Sequence, residues 1–203
     1  MADKLIALTF DDGPDVTTDK LLALLKDVQV YATFFLCGER VHAYPNAAKA
    51  IATDGHEIGN HSYDHASMDA LGEDAIRMNF ERAATAIHES TGRKPPFIRV
   101  PYVSYSSAVF TVAAGMNMLI IGCGVIGYDW EETVDTAHIV QNVLMSAKDG
   151  GIILLHEPHA KTRAALPLII NTLRSYGYDI TTVGAAAAQR HITLNAGVCY
   201  NDL

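Results

Sequence analysis

Thr9-Phe10-Asp11-Asp12-Gly13-Pro14 closes the first apolar run of the chain, Leu5-Ile6-Ala7-Leu8. A short apolar run bounded by a turn signal reads as a buried strand, and Gly13-Pro14 supplies the turn. Two carboxylates therefore stand at the carboxyl end of a strand, where α/β enzymes keep their chemistry. Side by side they repel each other unless a cation or a shared proton relieves the clash. Neighbours on an extended chain face opposite ways, so one aspartate can meet a metal while the other stays free as a base. Asp-Gly-Pro is also ordinary turn chemistry. The pair counts as a site only if partners converge on it.

Strand-like and helix-like segments alternate outward from this stretch. Strands are predicted at Leu5 to Phe10, Ala32 to Leu36, His56 to His61, Phe97 to Val100, Met118 to Val125, Ile152 to Leu155 and Asp179 to Val183. Helices are predicted from Thr17 or Thr18 to Val28, Pro45 to Thr53, Glu73 to Ser90, Ser106 to Ala114, Thr133 to Lys148, Thr162 to Tyr176 and Ala185 to Arg190. Ile76, Phe80, Ala83 and Ile87 recur at helical spacing, and Gly92 is a stop. Gly38 reads as the stop of the second strand. Such alternation implies a parallel sheet with right-handed crossovers. About seven parallel strands fit an α/β barrel, closed or partly closed, better than a small doubly wound sheet. No internal repeat or linker interrupts the pattern.

The 203 residues suit one domain, and 49% hydrophobic with 19% charged residues allows a sizeable core. A net charge of −8 excludes the basic stripe of a nucleic-acid binder. Cys37, Cys123 and Cys199 are scattered and odd in number, so they make no disulfide framework; Cys37 and Cys123 read as reduced core residues. No run approaches a membrane-spanning length, and no obligate protein partner is evident. Met1-Ala2-Asp3-Lys4 leads straight into the first strand, leaving no room for a signal peptide. The expectation is a cytoplasmic protein or a domain trimmed from a secreted precursor, the latter slightly preferred.

Every cluster of catalytically capable residues follows a predicted strand: Asp11-Asp12, His61 with His65, Arg99 with Tyr102, Asp129-Trp130, and His156. In a barrel all parallel strands end on one face, so these clusters converge. Two imidazoles four residues apart, as in His61-Ser62-Tyr63-Asp64-His65, can face one cation from a helical turn. Singly, each cluster has a bland reading: surface histidines, a salt-bridged arginine, a helix-capping aspartate, a core histidine. Together at matching strand ends they favour a site of two histidines and one aspartate that leaves positions open for water and substrate.

The ordered set resembles the polysaccharide deacetylases of the NodB-homology type, carbohydrate esterase family 4. Thr9 to Pro14 matches the first family motif at every position, and His61 to His65 the second. Arg99-Val100-Pro101-Tyr102 matches most of the third, Asp129-Trp130 the end of the fourth, and Leu154-Leu155-His156 the fifth. The resemblance spans Leu5 to about Val183. It implies a distorted (β/α) barrel forming one catalytic domain, a divalent metal (zinc first; cobalt, nickel or manganese also fit), and an acetylated polysaccharide or oligosaccharide as substrate. By motif, Asp12, His61 and His65 are the implied metal ligands, Asp11 the general base and His156 the general acid. Arg99 would tune Asp11, Asp129 would hold His156, and the Tyr102 N–H would stabilise the oxyanion. Leu154 would receive the acetyl methyl, with Pro101, Tyr102 and Trp130 toward the sugar.

The departures bear on substrate. Val103 and Ser104 stand where the third motif closes with glycine, Ile126 stands where the fourth often has another aspartate, and Glu157 replaces the aspartate after the histidine. O-acetylated xylan is slightly favoured over N-acetylglucosamine glycans such as chitin oligomers or peptidoglycan. The competing readings are a catalytically silent sugar-binding module of the same fold and a hydrolase of small amides.

Overall fold

The structure, a computed structural model, describes residues 4–203. The reading placed on Met1-Ala2-Asp3 falls outside the described residues. Strands β1 (Lys4–Gly13), β2 (Thr33–Leu36), β3 (Glu57–Asn60), β4 (Phe97–Ile98), β5 (Leu119–Ile121), β6 (Val125–Ile126), β7 (Gly151–His156), β8 (Tyr178–Thr181) and β9 (Cys199–Tyr200) form one sheet. Their order is β6-β7-β1-β2-β3-β4-β5-β9, with β8 beside the first half of β1. All pairings between these strands are parallel. Helices α1 (Thr18–Asp27), α2 (Gly38–Ala43), α3 (Pro45–Thr53), α4 (Glu73–Thr91), α5 (Ser107–Gly115), α6 (Thr136–Ser146), α7 (Ala160–Ser175) and α8 (Val183–Gln189) fill the crossovers.

The period of two along each strand sorts its side chains into two cores. Leu8, Phe10, Phe34, Leu36, Ile58, Ile153 and Leu155 pack with Leu21, Leu25, Ile51, Ile87, Ile139 and Leu166 from the helices. In the opposite phase, Ala7, Phe35, Phe97, Ile121 and Ile152 pack together inside the curl with Val183 and Ala186. Thr9 and Asp11 share the phase of Ala7, so they point to the interior as well. The same alternation that builds the core thus carries Asp11 inward at the carboxyl end of β1.

The curled parallel sheet agrees with the expected barrel class, but three details differ. Met118 to Val125 is two strands, β5 and β6, split by Gly122-Cys123-Gly124. A Cβ at Gly122 would lie 2.0 Å from Asn201 Oδ1, and one at Gly124 2.1 Å from Asp202 Oδ1, so the C-terminal tail occupies this seam. That tail forms β9 on β5 and bridges Gly151 through Asp202; together with the split it brings the expected seven strands to nine among the described residues. A two-residue strand has no periodicity from which to be read. Cys123, at the seam, is half-buried rather than a core residue, whereas Cys37 is buried. Finally, the chain turns at Gly38 into the short helix α2, where a Cβ would sit 2.8 Å from the Ala83 Cα of α4.

Candidate active site

The carboxyl ends of β7 and β1, and of β3 and β4, are adjacent pairs along one rim of the sheet, with β2 between the pairs. Asp11 is in register with His156 across β1 and β7. Asn60, the last residue of β3, pairs with Ile98 of β4, which brings the following His61 and Arg99 together. Asp11, Asp12, His61, His65, Val100, Tyr102, Val103, Trp130, Leu154 and His156 line one cavity of about 320 Å³.

Asp12, His61 and His65 each offer a ligand atom, and these atoms lie within 4.8 Å of one another. The Asp12 Oδ1 atom is 3.0 Å from His65 Nε2 and 3.4 Å from His61 Nε2. It is buried, yet it has no hydrogen-bond partner. An orphaned carboxylate oxygen between two imidazole nitrogens fits a cation as its missing partner. The His61 Nδ1 atom lies 2.7 Å from the Arg99 carbonyl. With the Nδ1–H donating there, the Nε2 lone pair is left facing the cluster, a common support for a metal-binding histidine. Burial works against charge on Asp12, but the facing imidazoles outweigh it and hold its pKa well below the carboxylate range.

The His61–His65 segment is not the helical turn its spacing suggested. It is an irregular loop with Ser62 and His65 at φ of 69° and 58°. Asn60 pins it, accepting from the Ser62 N–H at 2.8 Å and donating to the Phe80 carbonyl at 2.9 Å. Asn79 accepts from the Tyr63 N–H and donates to Asp64 at 2.7 Å. Asp12 also has a left-handed backbone, at φ 69°, which swings its carboxylate away from that of Asp11.

Asp11 is 3% exposed and Arg99 is fully buried. The Arg99 Nη1 atom donates to Asp11 Oδ1 at 2.8 Å and to Thr9 Oγ1 at 2.6 Å. Nε and Nη2 donate to the Ile121 and Gly122 carbonyls, and the guanidinium lies 4.2 Å above the Phe35 ring. Gly59 makes room for that ring, since a Cβ there would meet it at 2.4 Å. A buried arginine with its donors spent this way holds one carboxylate in a single orientation.

His156 has the mirrored arrangement, an imidazole held by a buried aspartate. Its Nδ1 is 2.7 Å from Asp129 Oδ1, and its backbone N–H donates to Asp129 Oδ2 at 2.7 Å. The Thr162 hydroxyl also donates to Oδ2, at 2.5 Å. Burial alone would lower the pKa of His156, but Asp129 outweighs it and raises it. With Nδ1 engaged by Asp129, Nε2 is the ring nitrogen left for the cavity that His156 lines.

Around the rim, Tyr102 is 70% exposed and meets the His65 ring edge-on at 4.7 Å. Tyr102 and Val103 have φ of 57° and 53°. Val103 occupies the left-handed conformation that glycine adopts without steric cost, which is what the departure in the third motif changes. Trp130 stands 5.2 Å from His156. Leu154 forms the apolar floor. Pro101 is buried and starts the turn, so it does not line the cavity.

Thr9, which belongs to the first motif but carried no assigned role, supports the site, as do Asn60, Asn79, Thr162, Phe35 and Gly59. Asn60 flanks the second motif and had that signal; the last four act across the fold from helices and strand interiors that read as packing.

Residues 1–121 match the family model described as Polysaccharide deacetylase. The chain is 37% identical over 197 residues to a bifunctional xylanase/deacetylase of Pseudobutyrivibrio xylanivorans, covering 95% of this chain and 32% of that protein. It is also 37% identical over 183 residues to a peptidoglycan-N-acetylglucosamine deacetylase of Bacillus cereus, covering 88% and 66%. A solved family 4 acetyl xylan esterase from Clostridium thermocellum, in complex with a cobalt ion, superposes with a TM-score of 0.91 at 34% identity, over 98% of this chain and 99% of that one. The chain spans about a third to two thirds of the length of the curated relatives it matches first.

Proposed function

The chain belongs to the polysaccharide deacetylase family, and on that premise we propose that it removes acetyl groups from a carbohydrate chain with the help of one divalent metal ion. The observation that carries the reading is the convergence of two differently held carboxylate–imidazole pairs on one cavity. Asp12 with His61 and His65 forms a donor set for a cation, and Asp11 and His156 stand in register beside it.

Asp12, His61 and His65 would hold the ion, with zinc first and cobalt, nickel or manganese also suited to two imidazoles and a carboxylate. Bound there, it supplies Lewis acidity toward the acetyl carbonyl and lowers the pKa of a water toward ~7. Asp11, fixed by Arg99, takes the proton of the attacking water. The Tyr102 N–H donates to the developing oxyanion. His156 delivers a proton from Nε2 to the departing sugar oxygen or nitrogen, while Asp129 keeps its Nδ1 engaged. Leu154 receives the acetyl methyl and Trp130 flanks the sugar. General-base and general-acid help of this kind is each worth about 10²–10⁴ in rate.

O-acetylated xylan is the substrate we favour, ahead of N-acetylglucosamine glycans. The names of a xylanase-linked relative and an esterase neighbour support it, as does the altered third motif; a peptidoglycan deacetylase at equal identity keeps the second substrate class in contention. The test is acetate release from acetylxylan, chitin oligomers and peptidoglycan, with added metal and with chelator. Release abolished by chelator and restored by Zn²⁺ or Co²⁺ is expected. Full activity in excess chelator would overturn the metal reading, and no release from any glycan would favour a silent sugar-binding module. Asp11→Asn should keep bound metal by elemental analysis and lose turnover; loss of metal would show that Asp11 and Asp12 have exchanged roles.

A further inference from the structure

Among the described residues, nine other than glycine have positive φ: Asp12, Gln29, Ser62, His65, Tyr102, Val103, Asn117, Tyr128 and His191. Six of them ring the cavity or build its loops. Five of those six have a place in the site already: two metal-ligand candidates, the loop between the histidines, and the Tyr102-Val103 turn. Tyr128 has none. Its φ is 56°, a conformation costly for a bulky side chain, and strained backbone of this kind persists where surroundings enforce it. They do so here. The Gly127 N–H donates to the Leu154 carbonyl at 3.3 Å, the Asn142 side-chain amide donates to the Gly127 carbonyl at 3.1 Å, and the Glu131 N–H donates to the Tyr128 carbonyl at 3.2 Å. Asp129, next in the chain, is fully buried against His156.

What this backbone achieves is to hold the Tyr128 ring out in solvent. The side chain is 42% exposed, and Trp130 beside it is 43% exposed. Their ring centroids are 5.3 Å apart at an interplanar angle of 48°. Among the described residues the Tyr128 hydroxyl makes no hydrogen bond. Trp130 lies between the other two rings in contact, 5.2 Å from His156 and 5.3 Å from Tyr128, and it lines the cavity whereas Tyr128 stands behind it. The step from Trp130 to Tyr128 is close to the length of one pyranose ring in a β-1,4-linked chain. Aromatic faces pack against the axial C–H faces of such sugars, and rings with a polar tip suit a half-wet groove.

We propose that Tyr128 extends the Trp130 surface into a two-ring platform that binds a second sugar of a β-1,4-linked pyranose chain, on the His156 side of the site. The inference rests on the proposed carbohydrate substrate and makes Tyr128 a determinant of chain-length preference. A second cavity, lined by Glu39, Arg40 and Tyr63 among others, shares Asp12 and His65 with the first.

Trp130 is the chain's single tryptophan, so its fluorescence reports occupancy directly. The metal-loaded protein, Tyr128→Gly and Tyr128→Phe would be titrated with xylose, xylohexaose and the fully deacetylated glucosamine hexamer, none of which can be turned over. Wild type should bind at least one hexamer more tightly than the monosaccharide. Tyr128→Gly should lose about three- to tenfold of that hexamer affinity, Tyr128→Phe should keep it, and the glycine variant should melt no lower than wild type because its backbone is relieved. Which hexamer responds identifies the glycan. Equal hexamer affinity in wild type and Tyr128→Gly overturns the proposal. So does a proportional loss for xylose, which is too short to reach past Trp130 and would mean that Tyr128 only props it, or a wild-type fluorescence indifferent to every saccharide. Because these readings need no hydrolysis, an absence of acetate release would count against the proposed activity and leave the platform standing or falling on its own titration.

Discussion

A buried histidine and a half-buried one sit at opposite ends of the same parallel sheet, and burial pushes both the same way while their neighbours do not. His56, just before β3, is 3% exposed. Its Nδ1 accepts the Ala32 N–H at 3.2 Å, and its ring lies against Phe34 and Tyr31. Burial pushes its pKa down to about 4, with only a weak opposing pull from Asp54. At the other end, His156 is also penalised by burial, but Asp129 reverses the sign and raises its pKa. One imidazole is a neutral packing element; the other is shifted toward its charged form, chiefly by Asp129, with Asp11 and Asp12 adding to the pull. Cavity size does not separate them: the cavity beside His56 is about 380 Å³ and the one beside His156 about 320 Å³. Paired and aimed charges mark the candidate site, not the larger of the two hollows.

The largest effect should come from abolishing that difference. Asp129→Ala should cut kcat by about 10²–10⁴ while bound metal is retained, because the imidazole loses both its orientation and its charge partner. The milder Asp129→Asn should move the alkaline limb of the kcat/KM profile to lower pH. The sign follows from the raised pKa: the imidazolium donor survives to higher pH with Asp129 in place and to lower pH without it. An alkaline limb that stays put in Asp129→Asn would show that His156 is not the titrating acid. The two ends of the sheet would then differ in packing alone.

Much of the catalytic end was legible in the sequence because its residues are strand-terminal and adjacent: Asp11-Asp12 after Leu5 to Phe10, Arg99 after Phe97-Ile98, His156 after Ile152 to Leu155. A parallel sheet turns that sequence position into spatial convergence. The loop conformation of His61 to His65 was not legible, since a spacing of four is satisfied equally by a helical turn and by a loop pinned from Asn60 and Asn79. Thr162 was hidden for a similar reason: a threonine near a helix start reads as capping, yet it donates to Asp129 from another unit of the fold. The tail that fills the seam between β5 and β6 gives no periodic signal, because its strand is two residues long. Glu157 was visible only as a departure after the fifth motif; its burial and its partners are long-range.

Glu157 gives the finest test of the two-ended comparison, because it is a carboxylic acid in the position that His56 holds as a base. It is 1% exposed, accepts from the Thr18 hydroxyl, and sits against Gly13, where a Cβ would meet Oε2 at 1.7 Å. Burial raises its pKa from 4.5 to about 7, against a smaller opposing hydrogen bond from Thr18. The folded state therefore binds its proton more tightly than the unfolded chain does. Its stabilising contribution is complete below pH 4.5 and is lost as pH rises through about 7, a change of roughly 3 kcal/mol. His56 runs the other way. Its folded pKa of about 4 lies below the ordinary 6.5, so its contribution is complete above pH 6.5 and is lost as pH falls through about 4, again roughly 3 kcal/mol. Between pH 4.5 and 6.5 the two slopes oppose each other and largely cancel in wild type. Glu157→Gln keeps the acceptor for Thr18 and removes one slope, so relative to wild type its unfolding free energy should climb with pH across that window. His56→Asn, whose side-chain oxygen can still accept the Ala32 N–H, should fall relative to wild type over the same range. Subtracting the wild-type curve removes every other titrating group, and residues at opposite ends of the sheet with no shared partner should combine additively. The double variant should therefore track wild type in shape. Urea midpoints at half-unit steps of pH would read all four curves. Parallel curves for both single variants would mean that neither burial shifts a proton, and that the contrast between the two ends of the sheet is carried by Asp129 alone.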